Sequence, residues 1–463
     1  METKGERGHF GSRVGFVLAA AGSAVGLGNI WKFPYITGKN GGGAFVLVYL
    51  LCVLLVALPI MMAEIFLGRA SQKSPVGAFR LLAGRGSPWV SFGWLGLAAG
   101  FVILSYYSVV AGWSLHYLWL SLSGGLKGLD ADGVGALFGK VNASPGINLV
   151  GLVLFMGLTV GIVIFGVKRG IETSARWLMP ILFLMLLALA IDATTTDGFA
   201  RGVDFVFGAR FADLTAAGTL EALGHSFFTL SLGMGALITY GSYLRRDTDL
   251  VGTSLIIGLL DTIIALLACL VIFPIVFSAG LDVGEGAGLV FVSLPIAFGK
   301  IAGGAILAPV FFLLLAFAAL TSTISLLEVT VSYFIDELGW GRRRATLVVG
   351  SVITLMGVPC ALSGGTEPFQ NMFTWMPKDE QSWFGFWAHV SSNWMLPLGG
   401  LGIAVFTAWR VSNEAREAGF KAGSRLGHLY WAWVGLLRYV VPVGIVAVFL
   451  HATGFFKWMG WLK

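Results

Sequence analysis

Apolar residues in this chain fall into long continuous runs, not the alternating or 3.6-residue stripes of a water-soluble core. With about 20 residues needed to cross a bilayer, eleven candidate spans lie near 13–36, 43–67, 90–122, 147–167, 170–192, 221–244, 249–279, 302–336, 344–362, 383–409 and 429–456. The connections at 193–220 and 280–301 are long, and the second contains a short apolar piece, Leu289 to Phe298, that reads as a re-entrant or surface helix. No low-complexity linker divides the order, so residues 1–463 read as a single integral domain. Composition agrees: 57% of residues are hydrophobic, 12% are charged, and the mean hydropathy is +0.85. A water-soluble protein of this length could not present that on its surface. The class is an all-α polytopic membrane protein.

Charge then orients the spans. With the N-terminus cytoplasmic, Lys4, Arg7, Arg13, Arg69, Lys73, Arg80, Lys168, Arg169, Arg245, Arg246, Arg342, Arg343, Arg344 and Arg410 all fall inside, as the positive-inside rule requires. The opposite connections carry Asp130, Asp192, Asp204, Asp282, Glu285 and Glu380. An odd span count puts Lys463 outside, and the natural location is the cell membrane. The net charge of +6 is therefore topological, with lipid head groups as partners and no nucleic acid. Lys4, Arg7 and Arg13 before an apolar stretch resemble a signal peptide, but the apolar character resumes at Ile30 to Tyr35, so the segment reads as a retained span. Cys52, Cys269 and Cys360 have no paired spacing and read as packing residues.

Two spans are interrupted. Ala21-Gly22-Ser23-Ala24-Val25-Gly26-Leu27-Gly28-Asn29 breaks the first, and Thr229-Leu230-Ser231-Leu232-Gly233-Met234-Gly235 breaks the sixth. Such glycines can serve close helix packing. Alternatively they unwind the helix, which hydrocarbon tolerates only where the backbone lines a cavity or binds something. Two breaks half a chain apart favour the second reading and suggest an internal repeat around a central site.

These residues carry a resemblance. The run Gly22 to Tyr35, with Asn40-Gly41-Gly42-Gly43-Ala44-Phe45 after it, resembles the first helix and following loop of the neurotransmitter:sodium symporter family. Phe227 to Gly235 is similar to that family's sixth helix and Ala318-Ala319-Leu320-Thr321-Ser322 to its eighth, in a match that runs from residue 7 to about 450. The likeness is greatest to the bacterial branch. It implies the leucine-transporter-like arrangement: 11 transmembrane helices, an inverted 5+5 repeat, and discontinuous helices 1 and 6. Repeat 1 would cover about 13–192 and repeat 2 about 221–409, with an additional helix at about 429–456.

The resemblance also implies a sodium-coupled symporter that takes up amino acids by alternating access, with two co-transported Na+ ions. One sodium site would use Ala24, Asn29, Thr229 and Asp261; the other would use carbonyls of Gly22, Val25 and Ala318 with the hydroxyls of Thr321 and Ser322. All are oxygen donors, which suit a hard cation. By itself a Thr-Ser pair in a membrane helix more often bonds back to its own turn. The organic substrate would meet Ser23, Ala24, Gly26, Leu27, Gly28, Ile103, Tyr107, Phe228, Thr229, Ser231, Met234, Ser322 and Leu326. Backbone N–H groups of Gly26, Leu27 and Gly28 and the Tyr107 hydroxyl would hold a carboxylate, while carbonyls of Phe228 and Ser231 would hold the amine. No aspartate stands at Gly26 to bind a bare amine, and flexible Met234 suits bulky aliphatic and aromatic side chains.

Gating residues carry over with departures. Arg7 and Asp336 match the inner ion pair, assisted by Ser242 and Tyr243, with Glu328 nearby; Gly170 and Pro180 match a Gly-X9-Pro element that lets the fifth helix unwind. Outside, Lys32 replaces an arginine and His225 a glutamine, and the acidic partner expected near Trp387 or Ala388 is missing. Glu64 is expected to bond the freed N–H groups of a broken helix. Asp261, with Ala265 one turn on, points to chloride independence, because the carboxylate supplies the charge that a chloride supplies elsewhere in the family. An amino-acid-gated channel or a non-transporting sensor could use the same pocket. The histidines at 9, 116, 225, 389, 428 and 451 show no metal-ligand spacing and no nucleophile motif appears, so an enzyme is not expected.

Overall fold

A computed structural model describes residues 8–281, 288–301, 303–455 and 459, and the side chain of Asp379 is not among those described. Lys4, Arg7, Asp282, Glu285 and Lys463 lie outside the described residues. Helices account for the architecture. Those of the central bundle, in chain order, are α1 (Arg13–Ala24), α2 (Gly28–Lys39), α3 (Gly43–Ser71), α4 (Val90–Ser123), α5 (Pro145–Val163), α6 (Val167–Ala193), α7 (Ala216–Thr229), α8 (Ala236–Gly241), α9 (Leu250–Ser278), α10 (Leu289–Lys300), α11 (Gly304–Asp336), α12 (Arg342–Leu362), α13 (Trp383–Arg410), α14 (Asn413–Lys421) and α15 (Gly427–Ala452), with shorter helices at Pro75–Ala83, Ala131–Ala143 and Phe199–Phe207 in the connections.

Among the described residues, eight helices are long and apolar enough to cross a membrane, or ten if each of two bent pairs is one span. One bent pair is α1 with α2, at 50°; the other is α13 with the polar α14, at 109°. The sixth candidate span is absent from that count because it consists of two short helices, α7 and α8. Their separation at 230–235 is what the glycines in the sequence demanded. The short apolar piece at 289–298 is α10, a helix too short to span whose Leu289, Phe291 and Leu294 are buried.

Both breaks have local causes. α1 starts at an N-cap, where the Ser12 hydroxyl accepts from the Gly15 N–H, and ends at Val25, whose backbone turns extended (φ −71°, ψ 106°). In the second break, Ser231, Gly233 and Gly235 all adopt left-handed backbone, at φ 54°, 81° and 75°. For Ser231 this is unusual, and its side chain helps hold the conformation by donating to the Ser23 carbonyl at 2.7 Å. Glu64 of α3 is wholly buried and accepts the Gly233 N–H at 2.7 Å, as expected. Burying a lone carboxylate costs about 2.5–3.5 kcal/mol on insertion scales, so a bond to freed backbone gives that charge its purpose.

Glycine also sets the distances between helices. A side chain at Gly68 of α3 would stand 2.0 Å from the Ile238 carbonyl of α8, and one at Gly241 of α8 would stand 2.7 Å from the Ile65 carbonyl. The broken helix is thus seated against α3 backbone to backbone. On the opposite side the long α4 lies along α11, with α5 and α12 behind it.

Gly233→Ala should lower stability by at least roughly 1–3 kcal/mol through its left-handed backbone, and the new methyl would also lie 2.2 Å from the Leu396 carbonyl. Gly157→Ala, at a helical position with nothing within 4 Å, should leave stability unchanged or raise it by about 0.4–1 kcal/mol. Thermal unfolding of the two variants in detergent checks the contrast.

Candidate functional site

The two breaks face each other across a small cavity. Its lining is Ser23, Ala24, Gly26 and Gly28 from the first, Phe228, Ser231 and Met234 from the second, Ile103 and Tyr107 from α4, and Ser322 and Leu326 from α11. These residues are hundreds of positions apart in the chain. Of the thirteen residues expected around an organic substrate, only Leu27 and Thr229 are set back from the lining. The Leu27 N–H donates to the Tyr107 hydroxyl oxygen at 3.0 Å, leaving the tyrosine's own proton to point elsewhere. The Gly26 N–H donates to Asn29 Oδ1 at 3.1 Å, so in this state it is occupied internally. A side chain at Gly26 would stand 2.4 Å from Ser322 Oγ and 2.9 Å from the Tyr107 oxygen, which leaves glycine the fitting residue. The cavity has about 30 Å3 of free space in this state.

Beside it, Asp261 of α9 is fully buried. It accepts from Asn29 Nδ2 at 2.7 Å, from Thr229 Oγ1 at 3.2 Å to each oxygen, and from the Tyr49 hydroxyl at 3.4 Å. Every one of these partners is neutral. No ion pair among the described residues involves Asp261, so its negative charge has only hydrogen bonds to offset it. Asn29, Thr229 and Asp261 are thus one bonded cluster of oxygen donors with Ala24 on the adjoining cavity wall, a chemistry that suits a small hard cation.

A second cluster joins α1 to α11. Thr321 Oγ1 donates to the Ala318 carbonyl at 3.0 Å and reaches the Val25 carbonyl at 3.4 Å, while Ser322 Oγ lies 3.5 Å from the same Val25 oxygen. Gly22 packs directly on Thr321: an added methyl would lie 3.2 Å from its Cβ. The bond of Thr321 to its own helix is the one expected of any membrane threonine. The reach to Val25 is not, and it brings all five residues of the second expected sodium set together.

Above Phe228 a larger cavity of about 240 Å3 is lined by Trp31, Lys32, Tyr35, Tyr106, Phe384 and Ala388 among others. Phe228, Tyr107 and Gly28 line both cavities and separate them. Lys32 Nζ sits 4.4 Å from the centre of the Phe228 ring, a cation–π contact. No carboxylate faces it from α13. His225 is buried, its ring stacked on Phe33 at 5.7 Å, and neither ring nitrogen has a hydrogen-bond partner among the described residues.

At the other end of the bundle, Arg7 lies outside the described residues. Asp336 accepts the Ser74 N–H at 2.7 Å. Tyr243 donates to Glu328, which also binds Arg342 through both terminal nitrogens, at 2.8 and 2.5 Å. Gly170 is in a wide π-type turn, Val167–Glu172, where a side chain would meet the Ile162 carbonyl at 2.2 Å; Pro180 is inside α6.

Four residues here escaped the sequence reading. Tyr49 completes the Asp261 cluster, Ser325 accepts from Ser23 at 2.8 Å, Arg342 neutralises Glu328, and Glu172 contacts the start of α1. Each lies in an unremarkable run of its own helix. Only a buried glutamate within an apolar span, as at Glu328 or Glu64, signals that a partner is needed, and it does not say whether that partner is a base or a backbone N–H.

Discontinuous helices meeting at a lined cavity, with an uncompensated carboxylate at its edge, define a secondary membrane carrier. Comparison with known proteins agrees. A model of the Sodium:neurotransmitter symporter family matches residues 7–129 and 139–396. The chain is 39% identical over 448 residues to an uncharacterized sodium-dependent transporter, YhdH, of Bacillus subtilis, covering 96% of this chain and 97% of that one. It is 33% identical to an uncharacterized sodium-dependent transporter of Haemophilus influenzae, over 96% and 98% of the two chains. Among solved structures it is similar to MhsT in complex with L-phenylalanine, at a TM-score of 0.87 and 44% identity, covering 96% of this chain and 100% of that one. The chain belongs to the sodium:neurotransmitter symporter family. It is therefore a sodium-coupled transporter with that family's inverted-repeat fold, and not an enzyme.

Asp261→Asn keeps the shape of the cluster and removes its charge. Sodium affinity should fall by roughly tenfold or more, the scale of one lost charge-assisted interaction, as measured by sodium titration of intrinsic tryptophan fluorescence in potassium-balanced buffer.

Proposed function

We propose that this protein is a symporter of hydrophobic and aromatic L-amino acids driven by two sodium ions, working by alternating access and independent of chloride. The observation that carries the reading is the wholly buried Asp261, bonded only to neutral groups and placed beside a cavity that has no side chain at Gly26. Charge balance makes the case. At the first sodium site one sodium charge meets two carboxylates, Asp261 and that of the substrate, while the substrate ammonium is held apart by the carbonyls of Phe228 and Ser231. The fixed charge of Asp261 thus stands where a chloride would otherwise be needed, and an anion beside it would be repelled in a low-dielectric interior. The buried Ala265 one turn on offers no hydrogen bond to an anion.

The substrate class follows from the walls. Ile103, Phe228, Met234 and Leu326 are apolar, and Met234 adapts its shape to its neighbour. The free volume is less than an amino acid occupies, so Phe228 and Met234 must shift as one enters. Similarity to the phenylalanine-bound MhsT supports this class. In this reading the first sodium is held by Ala24, Asn29, Thr229 and Asp261 and the second by Gly22, Val25, Ala318, Thr321 and Ser322. Phe228 and Tyr107 form the outer lid with Lys32 resting on it, and the Arg7–Asp336 pair closes the inner end. The residues 1–463 act as one domain of the cell membrane, N-terminus cytoplasmic and C-terminus outside, which the basic residues at one end of the bundle support.

Sodium-driven uptake into proteoliposomes, screened over the common amino acids, tests the substrate. Leucine and tryptophan should be taken up, whereas tryptamine, lacking the carboxylate that completes the first sodium site, should bind at least about tenfold more weakly. Equal affinity for tryptamine would remove the carboxylate from the site. A channel or sensor would show current or signalling without stoichiometric accumulation.

Replacing chloride by gluconate on both sides should leave uptake within about twofold of its value, since Asp261 already supplies a fixed negative charge at the first sodium site. A strong chloride requirement, of the kind named for the more distant sodium- and chloride-dependent GABA transporter ine of Drosophila melanogaster, would overturn the charge count.

A further inference from the structure

The N-terminus of α1 is held by one carboxylate from α6. Glu172, 2% exposed, accepts the Gly11 N–H at 2.6 Å and lies 3.3 Å from Ser12 Oγ. Ser12 in turn caps α1 by accepting from the Gly15 N–H at 2.9 Å. A carboxylate at this end of a helix is also favoured by the helix dipole. Arg176, one turn further along α6, donates to both Glu172 and Ser12, at 2.6 and 2.7 Å. The fit depends on glycine: a side chain at Gly15 would stand 2.0 Å from Glu172 Oε1.

Two turns on, the contact repeats. Met179 of α6 covers Gly22 of α1, where an added methyl would lie 3.1 Å from its sulfur. From Gly15 to Gly22 is the same step as from Glu172 to Met179, so the two helices run side by side in register. Gly170 and Pro180 bracket that stretch of α6, and Glu172 is the last residue of the wide turn Val167–Glu172. Unwinding this turn therefore withdraws the carboxylate from Gly11 and Ser12. Among the described residues, the other polar ties at the start of α1 are longer. Arg13 meets Asp249 at 3.4 Å while half exposed, and the Phe10 N–H and the His9 ring each reach the Tyr243 carbonyl at 3.3 Å.

We propose that Glu172 is a latch that fastens the N-terminus of α1 to the unwinding segment of α6, so that opening of α6 releases α1. The proposal rests on the transport reading above and names a positioning residue for it. Released at its start, α1 pivots and carries with it the Gly22 and Val25 carbonyls of the second sodium set. Loss of the latch thus weakens sodium binding without touching a sodium ligand.

The experiment is hydrogen exchange of the full-length protein in detergent, with sodium or with potassium, on wild type, Glu172→Gln and Gly15→Ala. Gly15→Ala expels the carboxylate while adding a better helix former to α1, so any loosening there cannot come from helix propensity. In sodium, both variants should exchange residues 8–16 roughly tenfold faster than wild type, the scale of one lost bond to a charged group. Their sodium titrations should shift to higher concentration by a similar factor. Wild-type protection at 8–16 in either variant would overturn the latch, and so would faster exchange spread evenly through α4 and α12. None of these readouts needs uptake, so failure to accumulate amino acids would defeat the substrate reading and leave the latch standing.

Discussion

Everything at the centre of this protein depends on one constraint: a peptide group in hydrocarbon must have a hydrogen-bond partner. Breaking two helices at mid-membrane frees backbone groups that lipid cannot satisfy, so the surrounding helices must. Glu64 reaches Gly233, the Ser231 hydroxyl reaches Ser23, and Asn29 folds back on Gly26. These bonds tie the first break to the second and both to α3. The cavity is what remains where the partners end.

The second organising fact is a charge without a counter-charge. Glu328 is as deeply buried as Asp261, yet Arg342 neutralises it through two nitrogens. Asp261 receives only an amide, a hydroxyl and a phenol. A buried pair is structural by default, whereas a buried carboxylate held only by neutral groups at the edge of a cavity marks a candidate binding site. The contrast between the two acids separates scaffold from site.

Opening such a structure requires letting go of contacts in order. α1 is attached to α6 at Glu172 and Met179, and α6 carries Gly170 in its wide first turn and Pro180 in its interior; in the proposed cycle the helix that moves is thus fastened to the helix that unwinds. The outer side is arranged differently. There Lys32 rests on the face of Phe228 with no acid facing it from α13, its electrostatic partner being Glu221 of α7. In the proposed cycle the outer lid is therefore the aromatic ring with the cation on it.

Much of this was legible in the chain itself. Apolar runs marked the membrane class and the long helices, because burial in lipid leaves no alternative to continuous hydrophobicity, while the short helices of the connections, such as Pro75–Ala83 and Ala131–Ala143, left no such run. Glycines at 26, 28, 233 and 235 marked both breaks: Gly233 and Gly235 adopt left-handed backbone, and Gly26 leaves no room for a side chain beside Ser322 and Tyr107. Tertiary structure decided the rest. That the sixth segment is two short helices, that Tyr49 joins Asp261, that Arg342 answers Glu328 and that Glu172 holds the start of α1 are all contacts between distant helices. Hydrophobic patterning says that a helix is buried but not which neighbour it meets, and a polar residue's partner is chosen by the register of packing, which no local run of sequence contains.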